Sequence, residues 1–508
     1  MSATLWHRFK KISNDRDVAI AIHHGAESVN FAEMIGLSQG WAQLLNIHPG
    51  DRVVVTGRNS IALATAIPGI WACGAIPVFV HAEAPDDHIR HAAIQTNASA
   101  ILLDDGRNMR ELGTDLRILP IVRPEPGASL ASVPSQAVND PGSIVFTSGS
   151  TGPPKGVVQS AFNLICGVAR VAATLGYQET DRILCPIPFA FDYGWGQLLS
   201  LLLGGMPLVL PKLRGSADIS AAIATSRPTI LAGVPAVFAE LVSGMSRIRE
   251  IDRSSIRLIT NTGSRIPDPV RQALLDLFPN VDLSLNYGLT ETYRSACLPV
   301  AQARLHPTSV GFALPGVTLS IVREDGSEAV PDEEGEIVHH GEGRFLYYWN
   351  DPQRTAEVLR PDPFWRKSEA EGQAPLVVFT GDLGRKDHDG RLYIHGRRDR
   401  QIKSMGVRVS PDEIEHILYA SGLVREVAVT SLPNDILGDL IVAVLSLAPD
   451  VDSNAVLKLL KSYARKNMSP FMQPRDYVVQ SELPRNSNGK VDYPSLKRMV
   501  SAFVESPP

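Results

Sequence analysis

The chain has 508 residues, 44% of them hydrophobic and 20% charged, and its 49 Lys+Arg against 54 Asp+Glu leave a net charge of -5. Such a composition belongs to folded globular protein and excludes a disordered or fibrous chain. It also excludes a strong positive field for recruiting nucleic acid or anionic membrane, so neither is expected as a partner. At roughly 100–200 residues per domain the length predicts two to four domains.

The four cysteines, Cys73, Cys166, Cys185 and Cys297, are too far apart for a zinc knuckle and too few for a disulfide framework. Met1 to Lys11 carries charge with no apolar segment behind it, which does not read as a signal peptide. The greasiest run, Leu198 to Leu210, is broken by Ser200, Gly204, Gly205 and Pro207 and is too short to span a bilayer. A cytoplasmic protein is expected.

In chain order, strand-like Asp51 to Thr56 leads to a helical Ile61 to Trp71, a strand Ile76 to Val80, a helix Pro85 to Thr96 and a strand Ala100 to Leu103. The rhythm returns with strands at Arg182 to Pro186, Pro207 to Leu210, Thr229 to Ala232, Leu258 to Thr260 and Leu283 to Asn286. Strands separated by helices of this length predict parallel βαβ lobes, an α/β class. From about Gly316 the texture changes: Val317 to Val322, Gly335 to His339 and Val377 to Phe379 alternate between turn signals and predict a smaller β-rich lobe. Beyond the charged stretch Gly396-Arg397-Arg398-Asp399-Arg400, helices at Pro411 to Ser421 and Asn454 to Lys466 and strands at Val424 to Ser431, Asp439 to Leu447 and Tyr477 to Val479 predict a small α+β unit able to fold by itself. The domain division expected is 1–396 and 397–508.

Chemistry first appears where the apolar Ile144-Val145-Phe146 runs into Thr147-Ser148-Gly149-Ser150-Thr151-Gly152-Pro153-Pro154-Lys155. Glycines let backbone approach a ligand closely, and amides with hydroxyls surround phosphate oxygens. The spacing is not that of a Walker A loop, and a flexible surface loop is the plain alternative. His23-His24, His88 with His91, and His339-His340 lack carboxylate or cysteine partners at ligand spacing and read as structural. No Gly-x-Ser-x-Gly elbow supports a serine hydrolase, and no Gly-x-Gly-x-x-Gly after a strand supports a dinucleotide-dependent oxidoreductase.

The loop closely resembles the phosphate-binding loop of the AMP-forming adenylating enzymes: acyl-CoA synthetases, luciferases and the adenylation domains of nonribosomal peptide synthetases. Further motifs match in the family's order: Asn286-Tyr287-Gly288-Leu289-Thr290-Glu291-Thr292, then Thr380-Gly381-Asp382, then Gly396 to Lys403 continuing to Glu415, and last Leu483 to Asp492 with Asn488-Gly489-Lys490. The resemblance implies a large N-terminal domain holding ATP and the acyl group and a small mobile C-terminal domain carrying a catalytic lysine. Thr147, Ser148, Gly149, Ser150, Thr151, Gly152 and Lys155 would meet phosphate. Tyr287 would pack on adenine beside Asn286 and Gly288, with the Gly263-Ser264 turn against the base; threonine at 262 departs from the family's glycine. Thr290 would touch phosphate and Glu291 would help hold Mg2+, a hard cation that prefers carboxylate and phosphate oxygens. Asp382 would accept the ribose hydroxyls, with Arg397 near ribose and phosphate.

Lys490 would neutralise the charge that builds when a carboxylate approaches the α-phosphate. Asp399 matches the family's hinge, which makes Asp399, Lys403 and Gly406 matter for a second half-reaction. Phe191, Asp192, Tyr193, Trp195, Asn261, Asn286, Arg294 and Ser295 fall on the acyl pocket by motif position. Asp192 matches the aspartate that binds the α-ammonium group in amino-acid-activating members, and Arg294 would meet a second anionic or polar group or form a structural salt bridge. Two departures, Ser160-Ala161 and Tyr347-Tyr348, are expected to touch none of the chemical residues.

The function implied is ATP-dependent adenylation of a carboxylate, then thioester formation on a phosphopantetheine thiol. Amino acid activation for a separate carrier protein is the first reading, because the chain ends too soon after Lys490 to hold a carrier segment. The alternatives are an acyl-CoA ligase for a fatty or aryl acid, an enzyme passing the acyl group to an amine, and a catalytically silent binding homologue. ATP, Mg2+ and CoA or a carrier protein are the implied cofactors and co-substrates.

Overall fold

Two sheets carry the chain as far as Arg397, and a computed structural model gives their order. It describes every residue except 1–3, 105–115, 131, 148–153, 214, 244–245, 366–372, 405–406, 434–438, 449–450, 487–489 and 506–508, and the side chains of 408 and 503–505. The seven-stranded sheet runs Tyr347–Tyr348, Lys155–Ser160, Pro141–Thr147, Ile76–Phe79, Arg52–Thr56, Ala100–Leu103, Arg117–Pro120. Its last five strands are mutually parallel, and the hairpin Pro141–Thr147 with Lys155–Ser160 is antiparallel. The connecting helix Ile61–Ala72 is buried at every position, which is why its sequence is apolar all round. Ser60 caps it by accepting the Leu63 N–H at 3.1 Å.

The larger sheet is parallel through Ile20–His24, Leu208–Leu210, Ile183–Leu184, Ile230–Gly233, Leu258–Asn261 and Asp282–Tyr287. It then turns antiparallel through Ala296–Cys297, Ser309–Ala313, Leu392–Arg397, Leu376–Lys386, Gly335–Gly341 and Val317–Val322. The expected β-rich texture after Gly316 is present, but its strands continue this same sheet. The join is the two-residue strand Ala296–Cys297, too short to carry a periodicity in sequence. Helices Leu5–Asp15, Phe31–Leu45 and Tyr493–Glu505 were not among the sequence expectations. The second had a legible start, since Asn30 and Glu33 form a reciprocal capping box.

Beyond Arg397 no strand joins either sheet among the described residues. Glu426–Leu432, Leu440–Ser446 and Asp476–Gln480 form a three-stranded sheet. Helices Pro411–Ala420 and Ser453–Asn467 cover one face through Ile414, Leu418 and Leu460; Leu496 and Val500 of the last helix cover the other. The whole is an α/β chain with a large N-terminal part and a small α+β C-terminal part. Among the described residues no helix is long and apolar enough to cross a membrane.

Candidate active site

The chemical residues gather where the Asp282–Tyr287 strand ends and meets the Leu376–Lys386 hairpin. Glu291 is only 9% exposed. Lys155 Nζ donates to its Oε1 at 2.8 Å, and the Tyr348 hydroxyl donates to the same oxygen at 2.7 Å. Lys155 also donates to the Tyr348 hydroxyl at 2.7 Å and lies 4.2 Å from that ring's centroid. Burial alone would raise the Glu291 carboxyl, but the Lys155 ammonium and the two hydrogen bonds hold it below its ordinary value. The expectation that Tyr347-Tyr348 touches no chemical residue is therefore corrected. Tyr348 is placed by strand pairing, opposite Val157 in the strand that begins at Lys155, a contact no local sequence pattern announces.

Asp382 and Arg397 are cross-strand partners in the register of their hairpin, and Arg397 Nη1 donates to Asp382 Oδ1 at 2.9 Å. Tyr287 donates its hydroxyl to the other oxygen, Oδ2, at 2.7 Å. Burial pushes the Asp382 carboxyl up, and Arg397 offsets only part of that. Gly381 lies at φ +73°, and a Cβ there would come within 3.1 Å of Arg397 Nη2, so the turn that presents Asp382 needs glycine. Gly263 carries φ +89°, and the Ser264 carbonyl accepts from Asn261 Nδ2 at 2.9 Å. Thr147 Oγ1 at the end of its strand is buried with no hydrogen-bond partner among the described residues. Ser148, Gly149, Ser150, Thr151 and Gly152 lie outside the described residues.

On the acyl side, helix Asp192–Gly204 starts at Asp192, whose carboxylate accepts from the Tyr193 N–H. Burial raises its carboxyl, while the charges of Lys490 and Arg294 pull it down. Tyr193 donates to the Thr260 carbonyl at 2.9 Å, and Asn286 Nδ2 donates to Thr260 Oγ1 at 3.1 Å and to the Asn261 carbonyl at 2.9 Å. Phe191 stacks on His81 at 4.8 Å. The Trp195 ring packs with Phe79 and Trp71 in the core, while its Nε1 finds no hydrogen-bond partner among the described residues. Ser295 is committed to Thr292 Oγ1 at 2.9 Å and His339 Nδ1 at 3.0 Å.

Lys490 reaches the same cleft from the far end of the chain: its charge acts on Asp192, as does that of Glu291. It lies between the bridged residues Arg485 and Val491, with its N–H donating to Asn486 Oδ1 at 3.1 Å. At the junction, Arg397 Nε meets Asp399 Oδ1 at 3.4 Å and Arg398 Nη1 meets Glu336 Oε2 at 2.7 Å. Arg400 pairs with Asp412 and with Glu415, the latter at 2.9 Å, tying the stretch to the small part. Lys403 accepts at its carbonyl from the Asp439 N–H at 2.9 Å; Gly406 lies outside the described residues.

Known proteins decide what this constellation belongs to. The model of the AMP-binding enzyme family matches residues 9–349, and that of the AMP-binding enzyme C-terminal domain matches residues 413–490. The chain belongs to the AMP-forming adenylating enzymes. The indoleacetate–CoA ligase of Aromatoleum aromaticum is 32% identical over 370 residues, 71% of this chain and 68% of that protein. The 2-succinylbenzoate–CoA ligase of Geobacillus kaustophilus is 27% identical over 487 residues, 95% of each chain. The o-succinylbenzoate coenzyme A synthetase of Bacillus subtilis, solved with ATP and a magnesium ion, superposes with a TM-score of 0.83 at 24% identity, over 97% of this chain and 99% of that one. As an AMP-forming acid–thiol ligase this chain uses ATP. The donor set fits Mg2+: Glu291 is a carboxylate held on the phosphate side by Lys155 and Tyr348, and Mg2+ is commonly held by one or two carboxylates plus substrate phosphates.

Proposed function

We propose that this adenylating enzyme joins ATP and a small carboxylic acid, and then moves the acyl group to the thiol of CoA. In the first step a substrate carboxylate oxygen bonds to the α-phosphorus while the α–β phosphoanhydride bond breaks and pyrophosphate leaves. In the second the thiol sulfur bonds to the acyl carbon, the thiol proton is lost and AMP leaves. The geometry that carries the reading is Glu291 held by Lys155 and Tyr348 and Asp382 held by Tyr287 and Arg397, with Lys490 near enough for its charge to reach Asp192. Two anions must meet in the first step, and an ammonium between them lowers the barrier as charge concentrates there. Thr147, Lys155 and Thr290 hold phosphates, Glu291 offers its carboxylate to Mg2+, which when bound neutralises phosphate charge, and Tyr287, Asn286, Gly288, Gly263 and Ser264 frame adenine. Asp382 takes the ribose hydroxyls with Arg397 beside it. Relatives acting on 2-succinylbenzoate and indoleacetate with CoA support CoA as the thiol. We assign the large domain to 1–396 and the mobile one to 397–508, turning at Asp399, with Lys403 and Gly406 serving the thiol step.

The test separates the half-reactions. Lys490→Ala should lower ATP–pyrophosphate exchange by roughly 10²–10³ and leave transfer from pre-made adenylate far less affected. Asp399→Pro, which fixes φ near about -65°, should do the reverse. Equal losses in both half-reactions for either variant sink its assignment.

A second reading, amino acid activation for a separate carrier protein, is favoured by Asp192, a half-buried carboxylate with no ion pair among the described residues. It predicts that exchange favours an amino acid over its desamino analogue by about 10²-fold, a preference lost in Asp192→Ala. Equal exchange with plain acids removes it.

A further inference from the structure

Arg294 is 8% exposed, and its Nη1 is buried with no hydrogen-bond partner among the described residues. Its guanidinium lies 5.3 Å from the centroid of the Tyr193 ring, and the groups that feel its charge are Asp192, Cys297 and the hydroxyls of Tyr177, Tyr193 and Tyr293. Burial raises all three phenols, so they stay protonated and supply no counter-charge. Asp192 acts from beyond ion-pair distance. A buried guanidinium without a contacting anion is costly and is seldom kept without a partner.

The backbone holds it there under strain. Tyr293 sits at φ +57°, and the Arg294 N–H donates back to the Thr292 carbonyl at 2.6 Å, closing a three-residue turn. A bulky aromatic at positive φ is strained and persists only where the surroundings hold it. Gly167 leaves room for the Tyr293 ring in this position: a Cβ at 167 would come within 2.7 Å of it. The turn spans Thr292 to Arg294, directly after Glu291, and reverses the chain between the two charged residues.

Contacts place Arg294 on the acyl side. Its guanidinium lies against Tyr193, on the helix that begins at Asp192, and the Tyr293 hydroxyl faces Gly196 of the same helix. Glu291, three residues before Arg294, is held instead by Lys155 and Tyr348.

We propose that Arg294 binds a second carboxylate at the distal end of the substrate, making the substrate class a dicarboxylic acid activated at one end. This rests on the reading that the cleft adenylates carboxylates. The test is ATP–pyrophosphate exchange with the full chain over straight-chain and aryl diacids of graded length, each paired with its mono-methyl ester. Wild type should favour one diacid over its half-ester by about 10²-fold or more, as when a missing partner leaves a buried charge unpaired. Arg294→Gln should cut that ratio at least tenfold, and Arg294→Lys should keep part of it. Half-esters exchanging as well as diacids in wild type overturn the proposal and leave adenylation standing; no exchange with any acid defeats the adenylation reading itself. The wild-type comparison decides even if Arg294→Gln does not fold.

Discussion

The phosphate and ribose side of the cleft and its acyl side treat buried charge in opposite ways. On the first, Glu291 has Lys155 and Tyr348, and Asp382 has Arg397 and Tyr287, all within 2.7–2.9 Å. On the second, Asp192 and Arg294 act on each other only at a distance, and Arg294 keeps an unpartnered donor. The groups we assign to ATP are held by protein partners. Those we assign to the acid keep unmet capacity among the described residues, and the fold carries the cost. The difference teaches where specificity is stored: in charges the protein does not satisfy by itself.

The largest effect that could break this comparison is on the paired side. Lys155→Met leaves Glu291 buried without a counter-charge and should lower unfolding free energy by about 3–5 kcal/mol, read by denaturant or thermal unfolding. A loss near zero would mean the pair contributes nothing and the contrast is false.

Next comes His339, at the boundary of the two sides. Its Nε2–H donates to the Glu342 carbonyl at 2.8 Å, and burial lowers it to about 4. The unfolded chain takes up this proton near the ordinary 6.5, whereas the folded chain resists it until about 4. Its contribution is thus complete above pH 6.5 and lost as pH falls toward 4, about 3 kcal/mol in all. His339→Gln should flatten that part of the stability–pH curve; an unchanged slope would show that His339 does not titrate as its burial requires.

The smallest effect sharpens the comparison from the unpaired side. Asp192→Asn removes a half-buried charge and Arg294→Gln a buried one, neither with a contacting counter-charge among the described residues, so stability should hold or rise by about 1–2 kcal/mol. A marked drop in melting temperature for both would show that the two charges stabilise each other across the pocket.

Much of this was legible in the residues. Parallel strands such as Arg52–Thr56, Ile76–Phe79, Ile230–Gly233 and Leu258–Asn261 announced themselves because each is a short apolar run, and buried strands need apolar faces on both sides; Arg117–Pro120, parallel but partly exposed, did not. The small C-terminal part was legible for the same reason. The motifs at Thr147, Tyr287, Glu291, Asp382 and Lys490 named the chemistry, since glycines, hydroxyls and isolated charges at strand ends serve ligands more than packing. Tertiary structure alone decided the rest. It spent Trp195 and Ser295 on the interior, brought Tyr348 onto Glu291 through a strand pairing, and carried the antiparallel lobe into the larger sheet through two residues, Ala296–Cys297. Above all it left Arg294 unpaired. A sequence records that an arginine is present, but whether a carboxylate lies within 4 Å of it depends on elements far apart in the chain, and that distance separates a structural salt bridge from a substrate's binding partner.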